Sequence, residues 1–234
     1  ISLDRNVGVS IMVTKRFFKN VIVAMVSVFM SLAFVQGAQA EQTGLDYQSL
    51  NLLPFNGSKQ LVLGDFDHLG RATSAHIQLQ DKDEPKKKRE PRLSYNPVGW
   101  HNYKIAYGNK GKKAWLFHRG HLIGYQFSGV NDDPRNLVTA TAYLNRGVKK
   151  KGSNEKNPDG MLFYEQQLDT WMRQNPDNAL DLYVAPNYQG DQLVPVSVTM
   201  TWVGVSPNGD LIPIDTGGHA EVSGEFRTVT LENK

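Results

Sequence analysis

The chain of 234 residues contains no cysteine. This absence excludes disulfide bonds, zinc sites built from thiolates and enzymes that use a cysteine nucleophile. Stability must therefore come from a packed core, with a bound metal ion as a further contribution. A chain of this length buries enough apolar surface to form such a core.

Long hydrophobic runs are also scarce, and the one that stands out lies near the N-terminus. Uncharged, largely apolar residues extend over 21–35, after Lys15, Arg16 and Lys19 and before the small-residue sequence 38–40. This order is typical of a secretory signal peptide. The run has about 15 residues and a membrane-spanning helix needs roughly 20, so an uncleaved anchor is the less favoured alternative.

We expect cleavage after Ala40. This divides the chain into an upstream segment with a signal peptide (1–40) and a single domain (41–234). Residues before Met12 are interpreted as lying upstream of the start and take no part in the fold. The domain is then secreted, has no membrane contact after cleavage, and is expected to act as a monomer.

The chain has no large excess of charge of one sign. It carries 26 basic and 23 acidic residues, of which residues 1–40 hold four and one, so the remainder is electrically neutral. Overall charge therefore gives no argument for a nucleic-acid partner, and only local clusters of basic residues can provide one.

Two lysine clusters are candidates for phosphate contacts. Lys86, Lys87 and Lys88 lie in a charged, proline-bracketed stretch over 81–92, and Lys149 begins the other cluster. Lys110, Lys112 and Lys113 form a further small basic group between them. Charge runs are usually solvated loops, and that alternative stays open here. If the loops do face a polyanion, the lysines would bind it through its phosphates.

Hydrophobic periodicity predicts an α+β fold with a mostly antiparallel sheet and flanking helices. Alternation is strongest over 194–202, and an apolar helical face indicates a helix over 161–174, with Asp159 as its expected cap. Turn residues between 59–63 and 74–80 predict a hairpin. The remaining predicted strands are 114–117, 136–141, 180–185 and 226–231.

Residues 115–145 carry the chemistry. They run from a strand through His-Arg-Gly-His and a glycine-containing loop to a second strand and Tyr-Leu-Asn-Arg. Phosphodiester hydrolysis requires a base near neutrality, stabilisation of charge by a Lewis acid or guanidinium, and a hard metal with oxygen ligands. The residues able to supply these groups are His121, Arg119, Asn145, Asn136 and Glu165.

The same segment resembles a known family. Residues 117–125 are similar to the Asp-Arg-Gly-His motif of the DNA/RNA non-specific endonucleases, and residues 133–138 and 143–145 resemble its downstream asparagine segments. The resemblance is closest to the secreted streptococcal DNases, the streptodornases, and to DNA-entry nucleases, and it spans most of 60–175. It implies the ββα-metal fold, in which two strands and a helix hold one metal ion.

The resemblance also implies a role for each matching residue. His121 matches the general base that activates a water, and Asn145 matches the one direct protein ligand to magnesium. Asn136 matches an asparagine that supports the histidine. Glu165 matches an acidic residue that holds a water on the metal. Arg119 matches the motif arginine, which contacts phosphate or is structural.

The activity implied is endonucleolytic cleavage of DNA, and often of RNA, that leaves 5′-phosphate ends and uses Mg²⁺, with Mn²⁺ as a substitute. Two departures stand out. His118 replaces the usual aspartate of the motif, which affects the hydrogen bonding around His121. The loop between Asn145 and Glu165 is longer than in the family, so the alignment of Glu165 is the least secure.

Two other functions remain open at this stage. One is a secreted binding protein or toxin that keeps the fold without the activity. The other is a zinc hydrolase that uses His118 and His121, although the sequence offers no clear third ligand. Trp100 and Tyr143 could stack on nucleic-acid bases, but packing in the core is the favoured role for both.

Overall fold

The computed structural model describes residues 51–107, 111–147 and 156–234, all of which fall within one compact unit. The predicted leader (1–40) and Lys149 lie outside these ranges. Within them, no helix is long and apolar enough to cross a membrane. The elements are β1 (Gln60–Leu63), β2 (Ala75–Leu79), β3 (Lys104–Tyr107), β4 (Lys112–Trp115), β5 (Phe117–His121), α1 (Tyr125–Ser128), β6 (Leu137–Thr141), α2 (Ala142–Arg146), α3 (Met161–Gln174), β7 (Ala179–Asn187), β8 (Ser197–Val205), β9 (Leu211–Ile212), β10 (Glu221–Ser223) and β11 (Phe226–Glu232).

A seven-stranded antiparallel sheet forms the body of the domain, in the order β1-β2-β7-β8-β11-β10, with β9 paired to β8. Apolar and polar residues alternate along β8, so that its apolar side chains all lie on the buried face of the sheet. Val198, Met200 and Trp202 are buried there, while Thr199 and Thr201 face the other side and bond to threonines of β11.

Helix α3 covers the apolar face of the sheet. Tyr164, Leu168 and Met172 lie one helical turn apart, are fully buried, and pack in the same cluster as Ile77 and Leu182 of the sheet. The cluster also contains residues of the motif region, including Leu122, Ile123, Phe127, Val138 and Leu144. The segment that carries the chemistry is therefore anchored directly in the core.

Two small antiparallel ribbons lie apart from the main sheet, β3–β4 and β5–β6. They are joined at Leu116, whose N–H donates to the carbonyl of Tyr103 and whose carbonyl accepts from the N–H of Ala142. The chain bends at Leu116 between β4 and β5 and stays hydrogen-bonded through the bend, which fixes the two ribbons relative to each other.

The structure confirms the predicted hairpin, found as β1 and β2, and the helix over 161–174. Two local predictions are wrong. The strand expected over 114–117 is two strands, and the His-Arg-Gly-His motif lies inside the second one. Helix α3 begins after Gly160 without a side-chain cap, because Asp159 instead bonds to Tyr143 and His219.

Candidate active site

Strands β5 and β6 hold the motif in a fixed register, with His121 opposite Leu137 and Arg119 opposite Thr139. Their backbones approach closely at Gly120, where an added Cβ would lie 2.6 Å from the Cβ of Ala140. No larger residue fits at that point without movement of a strand. The glycine of the motif is therefore a packing requirement of this ribbon.

The ring of His121 is held by one hydrogen bond, 2.8 Å from Nε2 to the carbonyl oxygen of Asn131. Because a carbonyl only accepts, Nε2 carries the hydrogen in the neutral ring and Nδ1 keeps its lone pair. Burial lowers the pKa of His121 from its usual value, more than the bond to Asn131 raises it, and Arg89 lowers it further. The neutral ring of His121 thus has Nδ1 as the atom that can accept a proton.

Asn145 lies on α2, which follows β6 without a loop. The side chain of Thr141, the last residue of β6, caps the helix by accepting from the N–H of Leu144, and the helix ends at Gly147, whose φ is +66°. This join fixes Asn145 relative to the strand that pairs with His121.

His118, the departure from the family motif, bonds to Asn145. The amide Nδ2 of Asn145 donates to Nδ1 of His118 at 3.1 Å. Burial lowers the pKa of His118, and Arg146 and Arg89 lower it further, which favours the neutral ring that accepts this bond. The amide orientation is thereby set, with Nδ2 of Asn145 toward His118 and the oxygen Oδ1 directed away from it.

Arg119 is also held in place. Its Nε and Nη2 both donate to Oδ1 of Asn96, at 2.9 and 2.6 Å, and its guanidinium lies 4.6 Å from the centre of the Trp100 ring. An arginine fixed on both its edge and its face presents its remaining N–H groups in a constant direction.

These side chains meet in an open cleft of about 830 Å³. Three arginines line it, and among the described residues no acidic side chain does. The local charge is therefore positive although the predicted mature chain is neutral. The lining residues are Arg89, Pro91, Arg92, Leu93, Trp100, Asn102, Trp115, Phe117, His118, Arg119, His121 and Asn145.

Two of the predicted site residues lie behind the cleft. Asn136 is fully buried, and its side-chain amide bonds to both the N–H and the carbonyl of Ile123, at 2.9 Å each. It thereby fixes the chain just after His121. Glu165 on α3 is only 9% exposed, hydrogen-bonds to Gln126, and lies where a Cβ on Gly124 would approach it to 2.7 Å.

Burial gives Glu165 a property that can be measured without an activity assay. Desolvation raises its pKa from 4.5 to about 7, against smaller opposing effects of Gln126 and Arg89. The folded protein therefore holds this proton more tightly than the unfolded chain. The protonated Glu165 contributes fully to the free energy of unfolding below pH 4.5, and this contribution is lost as pH rises through 7.

We expect Glu165→Gln to remove this pH dependence. Above pH 8 the variant should be more stable than the wild type by up to about 3 kcal/mol, and near pH 4.5 the two should be similar. Urea unfolding at a series of pH values in EDTA measures the difference. Glu90→Gln, at an exposed position, is the control and should follow the wild type. Parallel curves for Glu165→Gln and the wild type would contradict the assignment.

The basic residues at the cleft are not the predicted lysines. Lys86, Lys87 and Lys88 are exposed and do not line it, whereas Arg89 and Arg92 from the same loop do. The density of lysines predicted a phosphate-binding loop, but nothing in the sequence shows which residues of the loop face the cleft. Trp115 and Asn102 were missed as lining residues for the same reason.

The donor set fits a hydrated hard cation. Asn145 offers one amide oxygen, and among the described residues no group of three or more histidine or acidic side chains could hold a metal. Zinc sites use three or four protein ligands, and Nδ1 of His118 is already engaged by Asn145. Magnesium keeps most of its waters and accepts one or two protein oxygens, as this cleft provides.

A two-stranded ribbon followed by a helix, with His121 at the end of the first strand and Asn145 on the helix, defines a ββα-metal nuclease fold of the α+β class. Residues 55–203 match the DNA/RNA non-specific endonuclease family, and the chain belongs to it. The family makes the protein an endonuclease that acts on nucleic acid with a divalent metal ion. The resemblance predicted from residues 117–145 is confirmed.

Solved structures agree. An "extracellular endonuclease" is 40% identical, with a TM-score of 0.66 over 82% of this chain and 88% of that chain. An "extracellular nuclease" is 39% identical, with a TM-score of 0.62 over 78% and 89%. The magnesium-bound NucA of Streptococcus agalactiae, 23% identical with a TM-score of 0.53 over 82% and 75%, shares the fold. The chain matches none of the curated proteins with which it was compared.

Proposed function

We propose that the protein is a secreted, Mg²⁺-dependent endonuclease that hydrolyses DNA, with RNA as a further substrate, and leaves 5′-phosphate ends. The observation that carries the proposal is the pairing of His121, whose Nδ1 accepts a proton, with Asn145 in a cleft lined by three arginines. Mn²⁺ is expected to substitute for Mg²⁺, and the enzyme is expected to be a monomer.

In this proposal Nδ1 of His121 takes a proton from a water as its oxygen attacks the phosphorus. The bond from phosphorus to the 3′ oxygen breaks, the 3′ oxygen takes up a proton from solvent, and the phosphate stays on the 5′ side. Lowering of the pKa of His121 by burial keeps the ring neutral at pH 7, so that it is ready to accept the proton.

The remaining residues bind and orient. Oδ1 of Asn145 would hold Mg²⁺, which when bound supplies Lewis acidity to the phosphate and the leaving oxygen. Arg119, with Arg89 and Arg92, would bind the phosphate charge. Asn136 would hold the backbone after His121 in place.

Glu165 would accept a hydrogen bond from a water on the metal ion and so hold that water in place, which is the role that the family resemblance implies. The exposed lysines Lys86, Lys87 and Lys88 would contact phosphates away from the cut site, and so would Lys149. Contacts of this kind strengthen binding at low salt without sequence preference.

Digestion of supercoiled plasmid by the purified chain tests the reaction. We expect nicked and then linear DNA with Mg²⁺ or Mn²⁺, no cleavage in EDTA, and no restoration by zinc alone. The 5′ ends of the products should accept a label only after phosphatase treatment, because a 5′-phosphate blocks labelling until it is removed. No cleavage across a range of pH and divalent ions would favour the alternative of a binding protein that keeps the fold without the activity.

Secretion is tested separately. The names of the two similar structures include the word extracellular, which supports export, as does the leader pattern of residues 1–40. When the chain is expressed from Met12, the protein in the medium should have a mass that begins at Glu41. Cell-bound protein that still carries the leader would support the uncleaved anchor instead.

A further inference from the structure

A strip of alternate side chains from β4 and β5 leads away from the proposed base. Trp115, Phe117, Arg119 and His121 occupy every second position, and all four line the cleft. The backbone is extended on either side of a bend at Leu116, whose N–H and carbonyl are both hydrogen-bonded. At about 3.3 Å per residue, the six residue steps from Trp115 to His121 span at most roughly 20 Å, and the bend shortens this distance.

The far end of the strip lies on one face of the β3–β4 ribbon. In the register of the two strands Lys104 stands opposite Trp115 and Ala106 opposite Lys113, so Lys104, Lys113 and Trp115 share a face. Both lysines are exposed, Trp115 is 50% exposed, and Nζ of Lys104 lies 4.9 Å from the centre of its ring. Lys112 projects from the opposite face.

This face combines the two chemistries that bind unpaired nucleic acid. An exposed indole offers a surface on which a base can stack, and flanking ammonium groups bind the phosphates of the same strand. In a duplex the faces of the bases are covered by their neighbours, so stacking on Trp115 requires a base that is unpaired. Trp115 lines the same cleft as His121, and the cleft connects this face to the proposed cut site.

We propose that Trp115, Lys104 and Lys113 form a subsite for single-stranded nucleic acid, on which an unpaired base stacks while the strand is held for cleavage at His121. The proposal rests on the proposed nuclease function and names the form of substrate that the site prefers. At 3.4 Å per stacked nucleotide, the subsite lies at most about six nucleotides from the cut, and fewer along an extended strand.

Binding of labelled oligonucleotides in EDTA, where no cleavage occurs, tests the subsite. The full chain is titrated with a 12-nucleotide strand and with the matching duplex, and Kd is read from fluorescence anisotropy. Trp115→Ala should weaken binding of the single strand about tenfold and binding of the duplex less than twofold. Lys104→Ala and Lys113→Ala should each reduce the slope of log K against log salt by about 0.7.

Two matched variants separate the subsite from general effects. Lys112→Ala removes the same charge from the other face of the same ribbon, and should leave Kd for the single strand within twofold of the wild type. Trp115→Phe keeps an aromatic ring and should retain most of the affinity. It should also reduce the quenching of tryptophan fluorescence by the single strand, with Trp100 in the cleft as the source of any remainder.

A length series gives the distance. The ratio of Kd for Trp115→Ala to Kd for the wild type should stop rising once the strand is long enough to span both the cut site and the subsite. Wild type that fails to bind single strands, or Trp115→Ala that weakens strand and duplex equally or not at all, would overturn the subsite. Plasmid digestion by the same wild-type preparation decides the nuclease function separately, because it does not depend on Trp115 variants.

Discussion

Replacement of His121 by alanine should lower the rate of plasmid cleavage by about 1,000-fold while Kd for DNA stays within twofold of the wild type. The variant loses Nδ1, the proposed proton acceptor, but none of the arginines proposed to bind phosphate. Nicking rates at saturating DNA measure the first quantity, and anisotropy in EDTA measures the second. His68→Ala, which removes an exposed histidine from a turn, is the control and should cleave as the wild type does.

Added imidazole tests whether the His121→Ala variant lacks only a base. The cleft is open, and loss of the His121 ring leaves space within it that free imidazole can enter. Partial recovery of cleavage with increasing imidazole would show that the missing group is a base and that the fold is intact. Full activity of His121→Ala without imidazole would refute the assignment of the base.

Replacement of Asn145 by alanine should lower cleavage at least about 100-fold at a fixed Mg²⁺ concentration, through loss of the protein's ligand to the ion. The fold should survive, because alanine is a better helix former than asparagine and Asn145 is not part of the core. Titration with Mn²⁺, followed by calorimetry, reports the ion's Kd directly and independently of activity.

Asn145→Asp is the matched control because it keeps an oxygen ligand. The carboxylate cannot donate to His118, but the neutral His118 ring can adopt the other tautomer and donate from Nδ1. We therefore expect Asn145→Asp to bind Mn²⁺ at least as tightly as the wild type and to retain part of the cleavage. An Asn145→Ala variant with an unchanged Kd for Mn²⁺ would place the ion elsewhere.

Long, periodic elements were predictable from the sequence. Helix α3 and strand β8 show their buried faces as repeats of 3.6 and 2 residues, because each packs one face against the core. The short elements near the site could not be predicted in this way. Helix α2 has only five residues, and the β3–β4 ribbon is rich in lysine because both of its faces are solvated.

The candidate site divides in the same way. The motif indicated His121 and Asn145 because the position of each depends on local chain geometry. His121 lies at the end of β5, and Asn145 lies on the helix that directly follows β6. The depth of Glu165 and the inward turn of Arg89 and Arg92 depend on contacts between distant segments, which no local pattern contains. The bond between His118 and Asn145 likewise joins residues 27 positions apart, and only the fold brings them together.

The direct join of β6 to α2 has a consequence for how this region can evolve. From Leu137 to Asn145 there is no loop to absorb an extra residue, since Thr141 is both the end of the strand and the cap of the helix. One inserted residue would turn Asn145 by about 100° around the helix or reverse the faces of the strand. Across this stretch substitution is tolerable but a change of length is not, so insertions between relatives, or an engineered tag, belong in exposed turns such as Gly224 and Glu225 between β10 and β11.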